Sequence, residues 1–165
     1  IRRLYAETVS ALAHAAELDR PHDAGHARRV ADLAVAVGRN MGLSSRDLER
    51  IGYAALLHDI GRMGDTGDDA SAIHAQRGAE IVASIPFLAG VAPLIDRRGC
   101  SDEESRPIGA EIVRVCSHYD RLRADVGARR ALEVLGAEPN RPSDRVLETL
   151  SQVIQDPRLR IGALR

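Results

Sequence analysis

His58 and Asp59 stand side by side in the segment AALLHDIGRMG, and His26 lies upstream on a separate helical stretch. Imidazole and carboxylate are donors suited to a borderline divalent cation. Neighbouring side chains on a helix point roughly 100° apart, so both can reach one ion only where the helix ends. Gly61 is expected to supply that end by taking the left-handed conformation. Taken singly, His26 reads as a core histidine bonded to a backbone carbonyl and Asp59 as a helix-end acceptor. Taken together they read as a metal centre. Polar groups on core-facing stripes cost free energy unless satisfied, and one ion at the crossing of two helices would satisfy all three.

The elements that must position these residues are helices. Leu4, Val9, Leu12 and Ala16 form an amphipathic stripe over 3–18. Asp23 is expected to cap a second helix reaching Met41, stopped by Gly42, with His26, Val30, Leu33 and Val37 on its buried face. Ser44 or Ser45 caps a third, in which Leu48, Ile51 and Ala55 lead into His58 on one face. The polar loop GRMGDTGDDAS follows, then a helix over 74–84 and a short one opened by Pro86 and running to Ile95. After a second polar loop, DRRGCSDEESRP, Pro107 suits the first turn of a long helix, IGAEIVRVCSHYDRLRAD. Two more helices cover about 128–136 and 143–155, the latter capped by Ser143. No segment alternates at strand period and no internal repeat is visible. The expected fold class is all-α, a compact bundle of about seven helices. His14 and His22 read as surface residues, and Tyr119 as a core residue with its hydroxyl at the edge.

Composition excludes several classes of function. The 165 residues suit one domain with a sizeable core. A net charge of -1 gives no field drawing the chain to nucleic acid or anionic lipid. Tyr5, Tyr53, Phe87 and Tyr119 are the only aromatics, too few for base stacking. Cys100 and Cys116 follow no metal or disulfide spacing, so a reducing cytoplasm is expected. No apolar run reaches the ~20 residues that span a bilayer, and no signal peptide is visible. All 23 basic residues are Arg. The chain opens on Ile1, which reads as a piece of something longer. The expected division is an N-terminal helix at 1–20 joining an upstream domain, a helical domain at 21–156 and a tail at 157–165.

The chain resembles the HD superfamily of metal-dependent phosphohydrolases, and most closely its HD-GYP branch, which hydrolyses cyclic di-GMP. DRPHDAGHARRVADLA is similar to the family's first-histidine helix and AALLHDIGRMG to its signature helix. IHAQRGAEIVASIPFLAGVAPLI is similar to the segment with a further ligand histidine, and IGAEIVRVCSHYDRL to the late helix that carries a ligand aspartate. The resemblance runs from about Asp19 to about Gln155. It implies His26, His58 and Asp59 as metal ligands, with Asp59 bridging in a two-metal site, and His74 as a ligand of the second ion. It also implies Asp59 and Arg62 as catalytic positions, Arg62 standing where the branch has lysine; the two cations differ in geometry.

Several positions depart from that pattern. Arg98, Gly99 and Cys100 replace a paired histidine and glutamate, and the acidic SDEESRP replaces the GYP loop. The late ligand aspartate falls on Ser117, whose neutral hydroxyl is a poor ligand. His118 and Asp120 are near, pointing roughly 100° and 300° away from it, and a one-turn shift could bring Asp120 in as the replacement. Asp65, Asp68 and Asp69 do not fit calcium-loop spacing and read as loop residues. Arg97 and Arg98 could hold a substrate phosphate, though a solvated loop is the commoner role for such a pair. The expectation is an HD-type phosphohydrolase domain with impaired or lost activity, holding one divalent ion at most, iron or manganese. The alternative is an inactive regulatory module. Expected partners are a cyclic dinucleotide or other phosphoester and an upstream sensor domain or protein. A homodimer is left open, and neither a nucleic-acid polymer nor a membrane is expected.

Overall fold

The computed structural model describes residues 2–18, 24–63, 71–96 and 107–156. Within them the regular structure is helical: α1 (Arg2–Glu17), α2 (His26–Asn40), α3 (Ser45–Leu57), α4 (Ser71–Ala83), α5 (Ala92–Ile95), α6 (Ile108–Val126), α7 (Ala128–Ala137) and α8 (Asp144–Gln155). Two 3-10 turns, Ile60–Arg62 and Pro86–Leu88, interrupt the series. The all-α expectation holds. The stretch from Pro86 to Ile95 is not one helix but a 3-10 turn and the short α5. Pro93 lacks the N–H a continuous helix would need there.

Helix α2 is the centre of the bundle. It packs on α3 and α6, with α8 against it as well. Val30, Ala34 and Val37 are fully buried, and Ile51, Ala54 and Ala55 of α3 face them in one core with Ile112, Val115 and Cys116 of α6. Small residues along α2 let its neighbours come close, and this sets the distance across which the polar groups meet. Leu4, expected on the stripe of α1, is exposed instead; Val9 and Ala13 are buried, and Leu12 and Ala16 pack against the core.

Helix ends are set by specific groups. Gly42 has φ 76°, Leu43 N–H donates to the Gly38 carbonyl and Gly42 N–H to that of Arg39, a complete Schellman stop for α2. Ser44 caps α3 through Asp47 N–H at 3.2 Å. Ser143 precedes α8 but makes no side-chain cap bond; its own N–H donates to Glu111 at 2.7 Å. Asp23 lies outside the described residues. The observed start of α2 is served by Glu17 at the end of α1, whose carboxylate accepts from Gly25 N–H and Ala27 N–H, both at 2.9 Å. Helix α1 therefore holds the first turn of the helix that opens with His26. No helix of the described residues is long and apolar enough to cross a membrane.

Candidate metal centre

Helix α3 ends at Leu57, so His58 is its last helical-like residue and Asp59 already turns away. The expected cause is corrected: Gly61 does not have positive φ, unlike Gly25, Gly42 and Gly127. The chain instead tightens into the 3-10 turn at Ile60–Arg62. Glycine is needed there because a Cβ at Gly61 would collide with the His74 carbonyl oxygen and lie 2.5 Å from Gly78 N. The backbone of α4 rests directly on this turn.

The consequence is the juxtaposition anticipated from residue types. Ligand atoms of His26, His58 and Asp59 lie within 4.8 Å of one another. The two imidazoles meet edge-on, centroids 5.3 Å apart, and His58 Nε2 is 3.4 Å from Asp59 Oδ2. Each ring is oriented from behind. His26 Nδ1 bonds Asp120 Oδ2 at 2.8 Å, and His58 Nδ1 donates to the Ala55 carbonyl at 2.7 Å. Both Nε2 atoms are thereby turned inward, as they are where an outer hydrogen bond presents histidine to a metal. There they meet Ser117 Oγ, 3.3 Å from His26 and 3.0 Å from His58. A hydroxyl has one hydrogen and can donate to only one of the two nitrogens at a time.

The electrostatics keep the donors in their ligating forms. Burial pushes the His58 imidazole below its ordinary pKa, reinforced by His26 and Arg121 and opposed by Asp59 and the Ala55 carbonyl. A neutral ring is the ligating form. Burial opposes ionisation of Asp59, but the charges of His58, Arg121 and Arg62 outweigh it and bring its pKa to about 2. Burial likewise opposes Asp120, yet hydrogen bonds from His26, Arg29 and Arg123 hold its carboxyl well below the usual range. Two inward nitrogens and one ionised carboxylate fit a single divalent ion with open positions.

Residues 23–122 match the family model described as HD domain, well over half of the chain. The chain belongs to the HD domain family. HD domains are metal-dependent phosphohydrolases by superfamily and bind divalent ions, in keeping with the donor group found here. No curated protein matches the sequence.

Other expected residues of the HD domain are placed as follows. His74 is buried on α4 but does not join the three clustered donors. Arg62, in the 3-10 turn, has Nη1 3.9 Å from Asp59 Oδ2. His118 points elsewhere, towards Glu138 at 3.4 Å. Asp65, Asp68, Asp69, Arg97, Arg98 and Cys100 lie outside the described residues.

Arg29, Arg121 and Arg123 have no role readable from sequence, and Asp120, open there as a replacement for the late aspartate, sits behind His26 rather than among the clustered donors. Arg29 Nη2 bonds Asp120 Oδ2 at 2.9 Å and Arg123 Nε bonds Oδ1 at 3.0 Å. Arg121 Nη2 donates to Asp59 Oδ2. A helical wheel contained the signal: an offset of roughly 300° is roughly 60° the other way, so Asp120 shares a face with Ser117. Ser117, His26 and Asp120 also fall in the hydroxyl–imidazole–carboxylate order of a nucleophile triad. Ser117 is 2% exposed and lines neither neighbouring cavity, so a substrate carbonyl has no approach to it.

Proposed function

We propose that this HD domain keeps the core of a phosphohydrolase centre but lacks the donors for two ions, so that it binds one ion weakly and its hydrolytic activity is impaired. The observation that carries the reading is Ser117. Its Oγ touches both inward imidazoles, at the place where the resemblance calls for a ligand aspartate. A neutral oxygen there contributes little to holding a divalent cation.

His26 Nε2, His58 Nε2 and the Asp59 carboxylate would hold the ion, a two-histidine, one-carboxylate set of the kind that suits iron or manganese. Such an ion, when bound, supplies an activated water near neutral pH and draws off phosphate charge. The protein's own part is positional. Asp120 and the Ala55 carbonyl fix the two rings, and Arg62, on the turn after Asp59, would meet negative charge on a phosphoester. The sequence similarity to HD-GYP segments supports a cyclic dinucleotide such as cyclic di-GMP as the ancestral substrate.

A second reading, an inactive regulatory module, is supported by the packing of α1. Ala13, Ala16 and Glu17 of α1 share a cavity of about 20 Å³ with His26 and Asp59. An upstream domain attached through α1 would therefore act close to the centre.

Manganese or iron loading followed by elemental analysis, with hydrolysis assays on cyclic di-GMP and bis(4-nitrophenyl) phosphate, tests both readings. The expected result is no more than one ion per chain and slow turnover that His58→Ala abolishes. Ser117→Asp is expected to tighten ion binding by about tenfold and to raise turnover. Metal-free, inert protein under excess ion would favour the module. Two tightly held ions with rapid hydrolysis would refute the impaired centre.

A further inference from the structure

We propose that Arg121 is the resident cation of the centre: its guanidinium holds the Asp59 carboxylate while no ion is bound and must release it for an ion to enter. This rests on the metal-site reading above and goes beyond it by naming a residue of the chain that competes with the ion.

The oxygen that Arg121 takes is the one an ion would need. Arg121 Nη2 donates to Asp59 Oδ2, the same atom that lies 3.4 Å from His58 Nε2 and 3.9 Å from Arg62 Nη1. An ion held by His58 Nε2 and Asp59 would draw on the carboxylate oxygen that faces that nitrogen, Asp59 Oδ2. The guanidinium and the ion thus claim one atom, and their positive charges repel across a short distance.

The four arginines near the two carboxylates are not equivalent. Arg29 and Arg123 bind Asp120, which is 4% exposed and meets His26 through Nδ1, on the far side of the ring from the ligand nitrogen. Their contacts can persist whether or not an ion is present. Arg121 is on the ligand side. Its side chain is 38% exposed against 23% for Asp59, so the charged end of a long arm can turn into water while its stem stays packed. Arg62 sits farther off and can keep its place.

In one α6 stripe, then, Ser117 supplies too little charge and Arg121, one turn on, supplies charge of the wrong sign. Both substitute for what an ion needs. The ion's affinity is lowered by the strength of the Arg121–Asp59 contact, and that contact in turn stabilises the metal-free fold.

Manganese affinity measured calorimetrically on the wild type, Arg121→Ala and Arg121→Gln tests this, with melting temperatures recorded for metal-free and manganese-loaded forms. Both variants are expected to bind manganese about tenfold more tightly. They are expected to melt lower than wild type when metal-free and to lose most of that difference when loaded. Introducing Arg121→Ala into an Asp59→Asn background should leave the metal-free melting temperature nearly unchanged. Unchanged or weaker affinity in both variants, with wild type still binding, overturns the proposal alone and makes Arg121 a structural or positioning partner. Failure of all three proteins to bind manganese overturns the metal reading and this proposal together. The glutamine variant keeps the helix face polar, so a folding defect of the alanine variant does not decide the outcome.

Discussion

Asp120 does for His26 what the Ala55 carbonyl does for His58: it fixes a ring by its rear nitrogen and turns the other inward. It does so at a higher electrostatic stake, because a 4% exposed carboxylate is also the counter-charge for Arg29 and Arg123. Asp120→Asn preserves shape and removes the charge. It is expected to cost about 3 kcal/mol in urea unfolding, since breaking one partner leaves buried charge uncompensated. It should also weaken manganese binding by about tenfold through the loosened ring. A variant as stable as wild type would show that the arginines find other partners. The clustering of His26, His58 and Asp59 was legible from sequence because imidazole and carboxylate on buried helical stripes demand a partner, which each can find in the others. The groups behind and beside it were not. Which of Ser117, His118, Asp120 and Arg121 faces the rings depends on how α6 crosses α2, and residue types alone do not specify that rotation.

Among the elements, the packing of α4 on the 3-10 turn decides where Asp59 stands. Gly61 permits that contact: its missing side chain is the space taken by the His74 carbonyl and by Gly78. Gly61→Ala is expected to destabilise the fold by about 3 kcal/mol, the upper end of overpacking costs, because the obstructing atoms are backbone and cannot rotate aside. Gly42→Ala makes the useful contrast. A Cβ added at Gly42 would meet nothing within 4 Å and only the φ of 76° is at issue, so a cost of about 1 kcal/mol is expected. Thermal or urea unfolding of the two variants separates the roles; equal losses would show that close approach is not what Gly61 provides. Sequence cannot make this distinction, since glycine for a left-handed turn and glycine for a close contact are the same letter. Helical periodicity gave the element types, from α1 to α8, while ends drifted: α4 begins at Ser71 rather than His74, and Pro93 splits the segment after Pro86.

At the scale of the whole molecule, the buried polar centre makes folding stability depend on pH in two separate ranges. The His58 pKa is lowered on folding, so below its ordinary value of 6.5 the unfolded chain takes up a proton that the folded one resists. Stability must therefore fall as pH drops below about 6.5. Asp59 and Asp120 are also lowered, which gives stability present above the ordinary carboxylate range near 3.9 and lost as pH falls towards about 2 for Asp59. Urea unfolding of metal-free protein from pH 8 to pH 3 is expected to show a first decline from about pH 6.5 and a steeper one below about pH 4. His58→Gln should flatten the first limb and shrink the second only by the part that Asp59 owes to His58, leaving the Asp120 part in place. Bound manganese should move the first limb to lower pH, because an ion that binds only the folded state competes with the proton for the same ring. A single decline below about pH 4, unaffected by His58→Gln, would mean that His58 ionises as freely in the folded protein as in the unfolded chain, and the closed, ion-ready centre would lose its electrostatic support.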